Sequence, residues 1–462
     1  MASISEVATV DSPVARSRGP GRLTIGRRFA TGLAFFALVG AGLVAAVVDD
    51  APLTWDGAYY LFKALDLQTP FVSTNRLINA ALQAPVVVAS YFTSDLGVLR
   101  RVFDAAYVLV PLVSLASAWW LCRGRPGLFK WPALGICVAS LPGRMFFVGE
   151  STMATDLFWP LLLGLLLVDF HAGDLLLLAL LAAGLWASHP IAVALFGLAG
   201  LIAAVRAWRS DRRWWAVGLV CLLLAVTRAL LPLSGYELES ATASRLGDAF
   251  SNSVAGKPLL ALACTAGVVI VWLLRPLLVR ESSRRLGLLY DMAAAGLILL
   301  AGVILTVWAS HPEQWEAALD FRFWQAPVSL ALMLPAIADA LRRRSTLGRW
   351  EPAVLACGIA FCLVVGVQAW TWTTVTRRFE TSLAAQAAPC STLTTLDDTR
   401  GASPLNHWAS AVYAVLLQSR RPTMFVLADD ASCQQLLATG SLAIAAWDVR
   451  SPNGGWFQLM LP

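Results

Sequence analysis

The chain has 462 residues, of which 58% are hydrophobic and only 14% charged. Its mean hydropathy of +0.67 excludes a soluble globular protein, because too few polar residues are present to cover a surface of this size. The formal net charge of +6 does not indicate nucleic-acid binding, since the basic residues lie in separate clusters between hydrophobic segments. We therefore expect a membrane protein without a nucleic-acid partner.

Apolar segments long enough to cross a bilayer recur between residues 28 and 372. Backbone groups in hydrocarbon must bond within their own segment, which favours helices over open strands. We therefore expect an all-α polytopic membrane protein with about eleven transmembrane helices. The predicted spans are residues 28–48, 102–122, 130–148, 153–169, 174–188, 190–206, 214–233, 258–279, 287–309, 323–341 and 351–373.

Basic residues are concentrated in alternate connections between these spans. One cluster lies in the N-terminal residues 1–27, and the others lie at 123–130, 206–213, 280–285 and 342–349. Connections rich in lysine and arginine stay on the cytoplasmic side of a membrane. The pattern predicts a multi-pass protein of a bacterial-type inner membrane, with a cytoplasmic N-terminus and a periplasmic C-terminus. One misplaced span would invert every later connection, so the pattern also supports the number of spans.

Three of the predicted outer connections are longer than a turn: residues 49–101, 234–257 and 310–322. The first contains two helical patterns, at 55–67 and 76–91, that are too polar or too broken to span a bilayer. Aromatic residues in these patterns favour helices that lie along the membrane interface. Long connections on one face indicate the face on which the protein works.

After the transmembrane region, which covers residues 28–375, the composition becomes that of an ordinary globular protein. Residues 376–462 are expected to form a small outer α/β domain. Cys390 and Cys433 lie in this oxidising compartment, where a disulfide between them is expected and two unlinked thiols are the alternative. The predicted strands are 391–396, 423–427, 442–447 and 456–460, and the predicted helices are 405–418 and 431–439.

The segment directly after the first span contains the most informative motif. It reads Asp49-Asp50-Ala51-Pro52-Leu53-Thr54-Trp55-Asp56-Gly57-Ala58-Tyr59-Tyr60. An aspartate in the first outer loop, a tyrosine four residues later and an amphipathic helix along the membrane resemble the GT-C superfamily of polyprenyl-phosphate-sugar-dependent glycosyltransferases. The layout is similar over nearly the whole chain, but the residue-level likeness rests on Asp56 and Tyr60. Many members have a second acid where this chain has Gly57, so neither a substrate branch nor a metal requirement follows.

The resemblance implies transfer of a sugar from a polyprenyl phosphate carrier to a lipid or cell-envelope acceptor. Such a transfer needs a base beside the acceptor and cations beside the departing phosphate. Asp56 is the candidate base, because a carboxylate at a partly desolvated interface is more basic. The alternative is that Asp56 caps the following helix. Glu150, at the outer turn before the fourth span, is a second candidate catalytic residue, and Asp156 is an alternative to it.

A second group of candidates consists of arginines on the predicted outer side. A charge within a span faces a cavity or extends to the lipid head groups, and both explanations stay open for each of these arginines. Several guanidinium groups together would bind a lipid phosphate well. With Tyr60, the candidate substrate- and lipid-phosphate-binding residues are Arg76, Arg144, Arg228, Arg245 and Arg322.

Four further residues near the predicted outer face are weaker candidates. Asp49 and Asp50 are alternatives for the catalytic acid or for a metal ligand, although such a pair is more often the solvated end of a span. His189 and His311 each precede a proline at an outer turn and could assist proton transfer. The sequence predicts no metal site and no cofactor beyond the open alternative of a divalent metal.

These observations favour an inverting membrane glycosyltransferase over two other classes of protein. A secondary transporter or lipid flippase is the main alternative, because Asp104, Asp291 and Asp339 are ionisable residues at or inside span boundaries. Their scattered positions, and arginines near the last two, argue against a continuous ion path. A non-catalytic assembly subunit would tolerate the loss of Asp56.

Overall fold

The computed structural model describes most of the transmembrane region and a few residues beyond it. The described residues are 21–73, 75–144, 147–209, 211–232, 257–278, 284–312, 315–341, 350–384, 390–391, 412–413, 416–417 and 426–427. The structural statements below concern these residues.

The described chain is almost entirely helical, as its apolar segments predict. The first connection carries a 3₁₀ turn at Ala51–Leu53 and a π-helical segment lies at Gly135–Ala139. The α-helices are α1 Gly21–Val48, α2 Asp56–Asp66, α3 Ile78–Ser90, α4 Leu96–Leu121, α5 Lys130–Leu134, α6 Leu141–Arg144, α7 Glu150–Leu167, α8 Ala172–Ser188, α9 Ala192–Arg209, α10 Trp214–Ala229, α11 Lys257–Leu278, α12 Arg284–Ala309, α13 Glu316–Leu341 and α14 Glu351–Ala384.

Among the described helices, six are long and apolar enough to cross a membrane, which supports a multi-pass membrane protein. Four shorter apolar helices accompany them, in α3, α8, α10 and the second part of α13. The six candidate spans are Gly26–Val48, Leu96–Gly124, Ala192–Arg209, Pro258–Arg275, Arg285–Ala309 and Glu351–Thr381. The number eleven stays a prediction.

The predicted span 130–148 is not one continuous helix. It consists of α5, the π-helical segment and α6, and Lys130–Pro142 is buried throughout. A helix is expected to break where its backbone register changes, and the π-helical segment makes such a change. Protein rather than lipid surrounds this segment, so the interruption leaves no backbone polar group facing hydrocarbon.

Helix α7 is also enclosed by other helices. It packs against α4, α8, α9 and α13, and nearly every residue from Glu150 to Leu165 is buried. A polar first half is tolerated in a span when it faces the interior of the bundle. The start of α7, which bears Glu150, therefore lies at the centre of one end of the bundle.

Contacts between helix ends divide the bundle into two ends. At what we call the arginine end, Arg123 binds Asp174, Arg125 donates to the carbonyl of Ala340, and Arg27 pairs with Glu351. At the Glu150 end, Thr373 of α14 donates to Asp49, and Arg100 of α4 pairs with Asp50. This is the alternation that the basic clusters predict; which end faces the cytoplasm stays a prediction.

The two helical patterns predicted in the first outer connection are confirmed as α2 and α3. Asp66 is buried near the end of α2, and Asn79 and Gln83 are buried in α3. Both helices therefore turn polar side chains towards protein. Their position along the membrane interface stays a prediction.

The predicted outer domain falls mostly outside the described residues. Strand β1 Cys390–Ser391 pairs in parallel with β2 Val426–Leu427. These pairs agree with two of the predicted strands, while an α/β domain over 376–462 stays a prediction. Cys433 lies outside the described residues, so the disulfide also stays a prediction.

Candidate functional site at the Glu150 end

The turn between α1 and α2 has an unusual backbone. Asp50 has a φ of 54°, and Trp55 has a φ of 58° with a ψ of −114°. L-residues rarely adopt positive φ, and such conformations cluster at functional sites because the surrounding structure must hold them there. The Thr54 hydroxyl donates to the carbonyl of Ala51, and both residues are buried. The turn 49–55 is therefore a constrained element that leads directly into Asp56.

Gly57 is required by the close approach of this turn to α2. A Cβ atom at this position would lie 1.8 Å from the carbonyl oxygen of Pro52 and 3.1 Å from Cγ2 of Val148. A second acidic residue beside Asp56 therefore does not fit this backbone.

Asp56 is the first residue of α2 and is partly exposed. The N-cap position belongs to Trp55, so the cap alternative does not describe the position of Asp56. An acid in the first turn still interacts favourably with the helix dipole. The charge of Asp56 acts on two tyrosines, Tyr60 and Tyr413, whose pKa values it raises further after burial has raised them.

Glu150 accepts hydrogen bonds from three side chains. Tyr60 Oη lies 2.8 Å and Asn79 Nδ2 lies 2.9 Å from Glu150 Oε1, while Arg76 Nη1 lies 2.8 Å from Oε2. The Glu150 and Arg76 side chains are only 4% and 13% exposed. Three of the predicted site residues, Tyr60, Arg76 and Glu150, are thus brought together from α2, the turn before α3, and α7.

The polar contacts continue from Asn79 into α3 and α4. Tyr107 Oη donates to Asn79 Oδ1 at 3.1 Å, and Gln83 Nε2 lies 3.5 Å from Tyr107 Oη. Gln83 also exchanges two hydrogen bonds with the backbone of Phe71. Together with Tyr60, Arg76 and Glu150, these side chains form what we call the Glu150 network. Buried and satisfied networks of this kind hold their members in one arrangement.

The Glu150 network keeps its carboxylate ionised. Burial opposes the charged form of Glu150, but the Arg76 guanidinium and the hydrogen bonds from Asn79 and Tyr60 outweigh it, so its pKa lies below the ordinary value. Burial and the Glu150 charge both raise the pKa of Tyr60 well above its ordinary value. Tyr60 therefore stays a neutral donor, and Glu150 is poorly suited to accept a proton during a reaction.

A second cluster of acids surrounds Asp50. Arg100 Nε lies 3.1 Å from Asp50 Oδ2, and the buried Asp104 carboxyl adjoins Asp50. Burial raises the pKa of Asp50, and the nearby Arg100 guanidinium lowers it only in part. Thr373 Oγ1 donates to Asp49 Oδ1 at 2.7 Å. Asp49 and Asp50 thus connect the turn to α14 and α4, and the described residues contain no group of three potential metal ligands.

The C-terminal segment reaches this end through Tyr413. Its hydroxyl accepts from the backbone N–H of Trp55 and donates to the carbonyl of Leu53 at 2.8 Å. The ring packs against Trp372 of α14, with centroids 5.3 Å apart. Arg100 Nη1 donates to the carbonyl of Leu416 at 2.8 Å. These contacts join residues 413 and 416 to the turn that precedes Asp56.

The structure places the other predicted arginines less directly. Arg228 is buried in the last turn of α10. The backbones of Arg144 and Arg322 belong to α6 and α13, while their side chains lie outside the described residues. Arg245 is outside them altogether. Binding of lipid phosphate by these arginines stays a prediction.

The two histidines make local contacts. His189 Nδ1 accepts from the backbone N–H of Ile191 at 3.2 Å. His311 Nδ1 lies 2.6 Å from the carbonyl of Val307, within its own turn. Asp156, the alternative to Glu150, is buried within α7.

Two of the acids that made a transporter an alternative function, Asp291 and Asp339, pair with cations at the arginine end. Lys130 Nζ lies 3.2 Å and Trp131 Nε1 lies 2.9 Å from Asp339 Oδ2. Arg275 Nε lies 3.0 Å from Asp291 Oδ1. Charges paired in this way are typical of structural contacts between helices and do not indicate an ion path.

Sequence reasoning missed Asn79, Gln83, Tyr107 and Tyr413. Asn79 and Gln83 are four residues apart and share a face of α3, which is a signal that the sequence contained. Tyr413 offered no such signal, because its partners are 358 and 360 residues away.

No protein-family model, curated protein or solved structure matches this chain.

Proposed function

We propose that the chain is a membrane glycosyltransferase similar to the GT-C superfamily. It transfers a sugar from a polyprenyl phosphate donor to a lipid or cell-envelope acceptor at the Glu150 end. The observation that carries the proposal is the position of Asp56: a partly exposed carboxylate at the start of α2, supported by a strained turn and beside the Glu150 network. Enzymes hold reacting groups in this way on rigid surroundings.

In the proposed reaction, Asp56 removes a proton from the acceptor hydroxyl or amine. The acceptor atom attacks the anomeric carbon of the sugar, and the bond from that carbon to the phosphate oxygen breaks. The electron pair leaves with polyprenyl phosphate, and the configuration of the sugar inverts. Cationic side chains near the leaving phosphate would stabilise the developing charge, and Arg76, held by Glu150, is the candidate whose position supports this best.

Glu150 has a different role in this proposal from the one that the sequence suggested. Its carboxylate already accepts from three donors and its pKa is lowered, so it positions Tyr60 and Arg76 rather than transferring a proton. Asp56 is more exposed than Glu150 and begins α2, whereas Asp49 and Asp50 bind Thr373 and Arg100. The proposal therefore assigns the base to Asp56 alone.

The test uses the protein reconstituted in liposomes that contain bacterial cell-envelope lipids as acceptors, with a panel of polyprenyl-phosphate-linked hexoses and pentoses as donors. We expect release of polyprenyl phosphate by the wild type with at least one donor, and a loss of at least about a hundredfold in Asp56→Asn. Expression and melting temperature should stay near wild type, because Asn keeps the size of the side chain. Asp95→Asn is the matched control, since Asp95 caps α4 by accepting from the N–H groups of Gly97 and Val98.

Retention of activity by Asp56→Asn, with destabilisation only in Asp56→Ala, would show that Asp56 is structural. Absence of release with every donor, together with uptake of a labelled lipid or solute across the bilayer, would favour a transporter or flippase instead. Normal transfer activity in whole cells after loss of Asp56 would fit an assembly subunit.

A further inference from the structure

We infer that Tyr413 is a positioning residue: its hydroxyl holds the turn 53–55 in the conformation that presents Asp56. The catalytic part of this inference rests on the proposed function, whereas the structural part does not. It makes Tyr413, which is distant in sequence, a component of the site.

The Tyr413 hydroxyl makes two hydrogen bonds to the turn. The Trp55 N–H donates to Tyr413 Oη, and the same hydroxyl donates to the carbonyl of Leu53. Leu53, Trp55 and Tyr413 are all buried, so water does not replace these bonds without rearrangement. The Tyr413 hydroxyl thus bridges the N–H of Trp55 and the carbonyl of Leu53.

These bonds hold the backbone of Trp55 in a strained conformation. Trp55 has a φ of 58° and a ψ of −114°, which an L-residue rarely adopts. Such a conformation persists only where surrounding contacts enforce it. The Trp55 amide is fixed by Tyr413, and the next residue in the chain is Asp56. A change of φ or ψ at Trp55 would therefore redirect the start of α2.

Tyr413 is itself fixed by ring packing and by backbone hydrogen bonds. Its ring is fully buried against Trp372, and its carbonyl accepts from the N–H of Leu417 in a helical turn. The carbonyl of Leu416 in that turn accepts from Arg100, whose guanidinium also pairs with Asp50. The segment is therefore bonded to both ends of the turn, at Asp50 through Arg100 and at Leu53 and Trp55 through Tyr413.

Tyr413→Phe tests the inference, because it removes the hydroxyl and leaves the ring against Trp372. Hydrogen–deuterium exchange of the full-length protein in detergent should show at least about tenfold faster exchange at the Trp55 amide, with no change in α9 and α10. In liposomes, kcat for the active donor should fall at least about tenfold while KM changes little. Tyr91→Phe is the control, since the Tyr91 hydroxyl makes one long, exposed contact with the carbonyl of Gln68.

A second variant separates positioning from general packing. para-Aminophenylalanine at position 413 keeps the donor to Leu53 and a weaker acceptor at the ring tip, and it should restore part of the slow exchange and part of the turnover. Unchanged exchange in Tyr413→Phe would overturn the inference, and so would faster exchange with unaltered kcat. Faster exchange throughout all helices, without rescue, would show that Tyr413 only stabilises the fold. If the wild type transfers no sugar, the proposed function fails, while exchange at Trp55 still decides the role of Tyr413.

Discussion

Glu150 shows how one residue type acquires a different role from its surroundings. In the sequence it is an acid at an outer turn, equivalent to many catalytic acids. In the structure its carboxylate binds Arg76, Asn79 and Tyr60 and is almost fully buried. A carboxylate that accepts several hydrogen bonds is stabilised as an anion and is a weak base. The surroundings thus separate Glu150 from Asp56, which is more exposed and begins α2.

The Glu150 network predicts a specific dependence of stability on pH. Because the pKa of Glu150 is lower in the folded protein, its stabilisation is fully present above the unfolded value, about 4.3, and is lost as pH falls through the folded value. Glu150→Gln should lose about 3–5 kcal/mol at neutral pH, since the buried Arg76 guanidinium then loses the charge of the Glu150 carboxylate. Thermal melts in detergent from about pH 7 down to pH 3 should show the difference between variant and wild type shrinking as pH falls.

A matched control comes from an exposed ion pair at the arginine end. Asp211 and Arg213 also form a salt bridge, but their side chains are 33% and 70% exposed. Asp211→Asn should leave the melting temperature close to that of the wild type, because an exposed ion pair contributes little to stability. A constant difference between Glu150→Gln and the wild type at every pH would show that the carboxylate charge contributes nothing.

Which parts of the site were predictable depends on the range of the contacts. The motif at Asp56 and Tyr60 lies in consecutive residues, so the sequence displays it directly. The pairing of Glu150 with Arg76 joins residues 74 positions apart, and only the packing of α7 against the turn before α3 creates it. In the sequence, Gly57 was notable only because it is not a second acid beside Asp56. The steric requirement for glycine at this position became visible from the position of the Pro52 carbonyl.

At the scale of elements, hydropathy located the helices well. Helices α2 and α3 were expected at 55–67 and 76–91 and are found at Asp56–Asp66 and Ile78–Ser90. The interruption in the predicted span 130–148 was missed, because a window of mean hydropathy does not register a change of helical pitch. Pro132 and Pro142 were present as signals, yet prolines also occur inside intact helices here, such as Pro111 in α4.

The interrupted segment contains a buried ion pair that joins α5 to α13. Lys130 in α5 and Asp339 in α13 are both almost fully buried, and Lys130 Nζ also lies 5.0 Å from the ring centroid of Trp272. Lys130→Met should lower stability by about 3–5 kcal/mol, because Asp339 then loses its counter-charge. Lys130→Met combined with Asp339→Leu should regain most of the loss, since a buried pair replaced by apolar residues is often neutral.

The measurement is the melting temperature of the two single variants and the double variant in the same detergent. Arg27→Gln is a suitable control, because Arg27 pairs with Glu351 but its side chain is 53% exposed. Equal losses in the double and single variants would mean that the ion pair makes no specific contribution beyond the packing of each side chain.

At the scale of the whole molecule, the fold brings distant segments to one end. The turn after α1, the start of α4, the start of α7 and the end of α14 meet there with residues 413 and 416. Odd and even connections necessarily separate when helices alternate in direction. The position of the proposed catalytic surface at one end is thus a consequence of topology, and the basic connections collect at the other end.

The final prediction concerns which end faces the cytoplasm. The arginine end carries basic connections around Arg123, Arg206 and Arg212, so the positive-inside rule assigns it to the cytoplasm. Green fluorescent protein inserted after residues 171 and 212 should fluoresce, and alkaline phosphatase inserted after residues 94 and 310 should be active. Ser94 and Ser310 are exposed residues in connections at the Glu150 end, just before α4 and just after α12, which makes them suitable insertion points. Phosphatase activity at 212 together with fluorescence at 310 would invert the whole arrangement and place Asp56 on the cytoplasmic side, where a donor presented at the outer face is out of reach. Phosphatase activity at 212 alone would instead show that the helices between 171 and 212 do not each cross the membrane, while leaving the orientation of α1 to α4 as proposed.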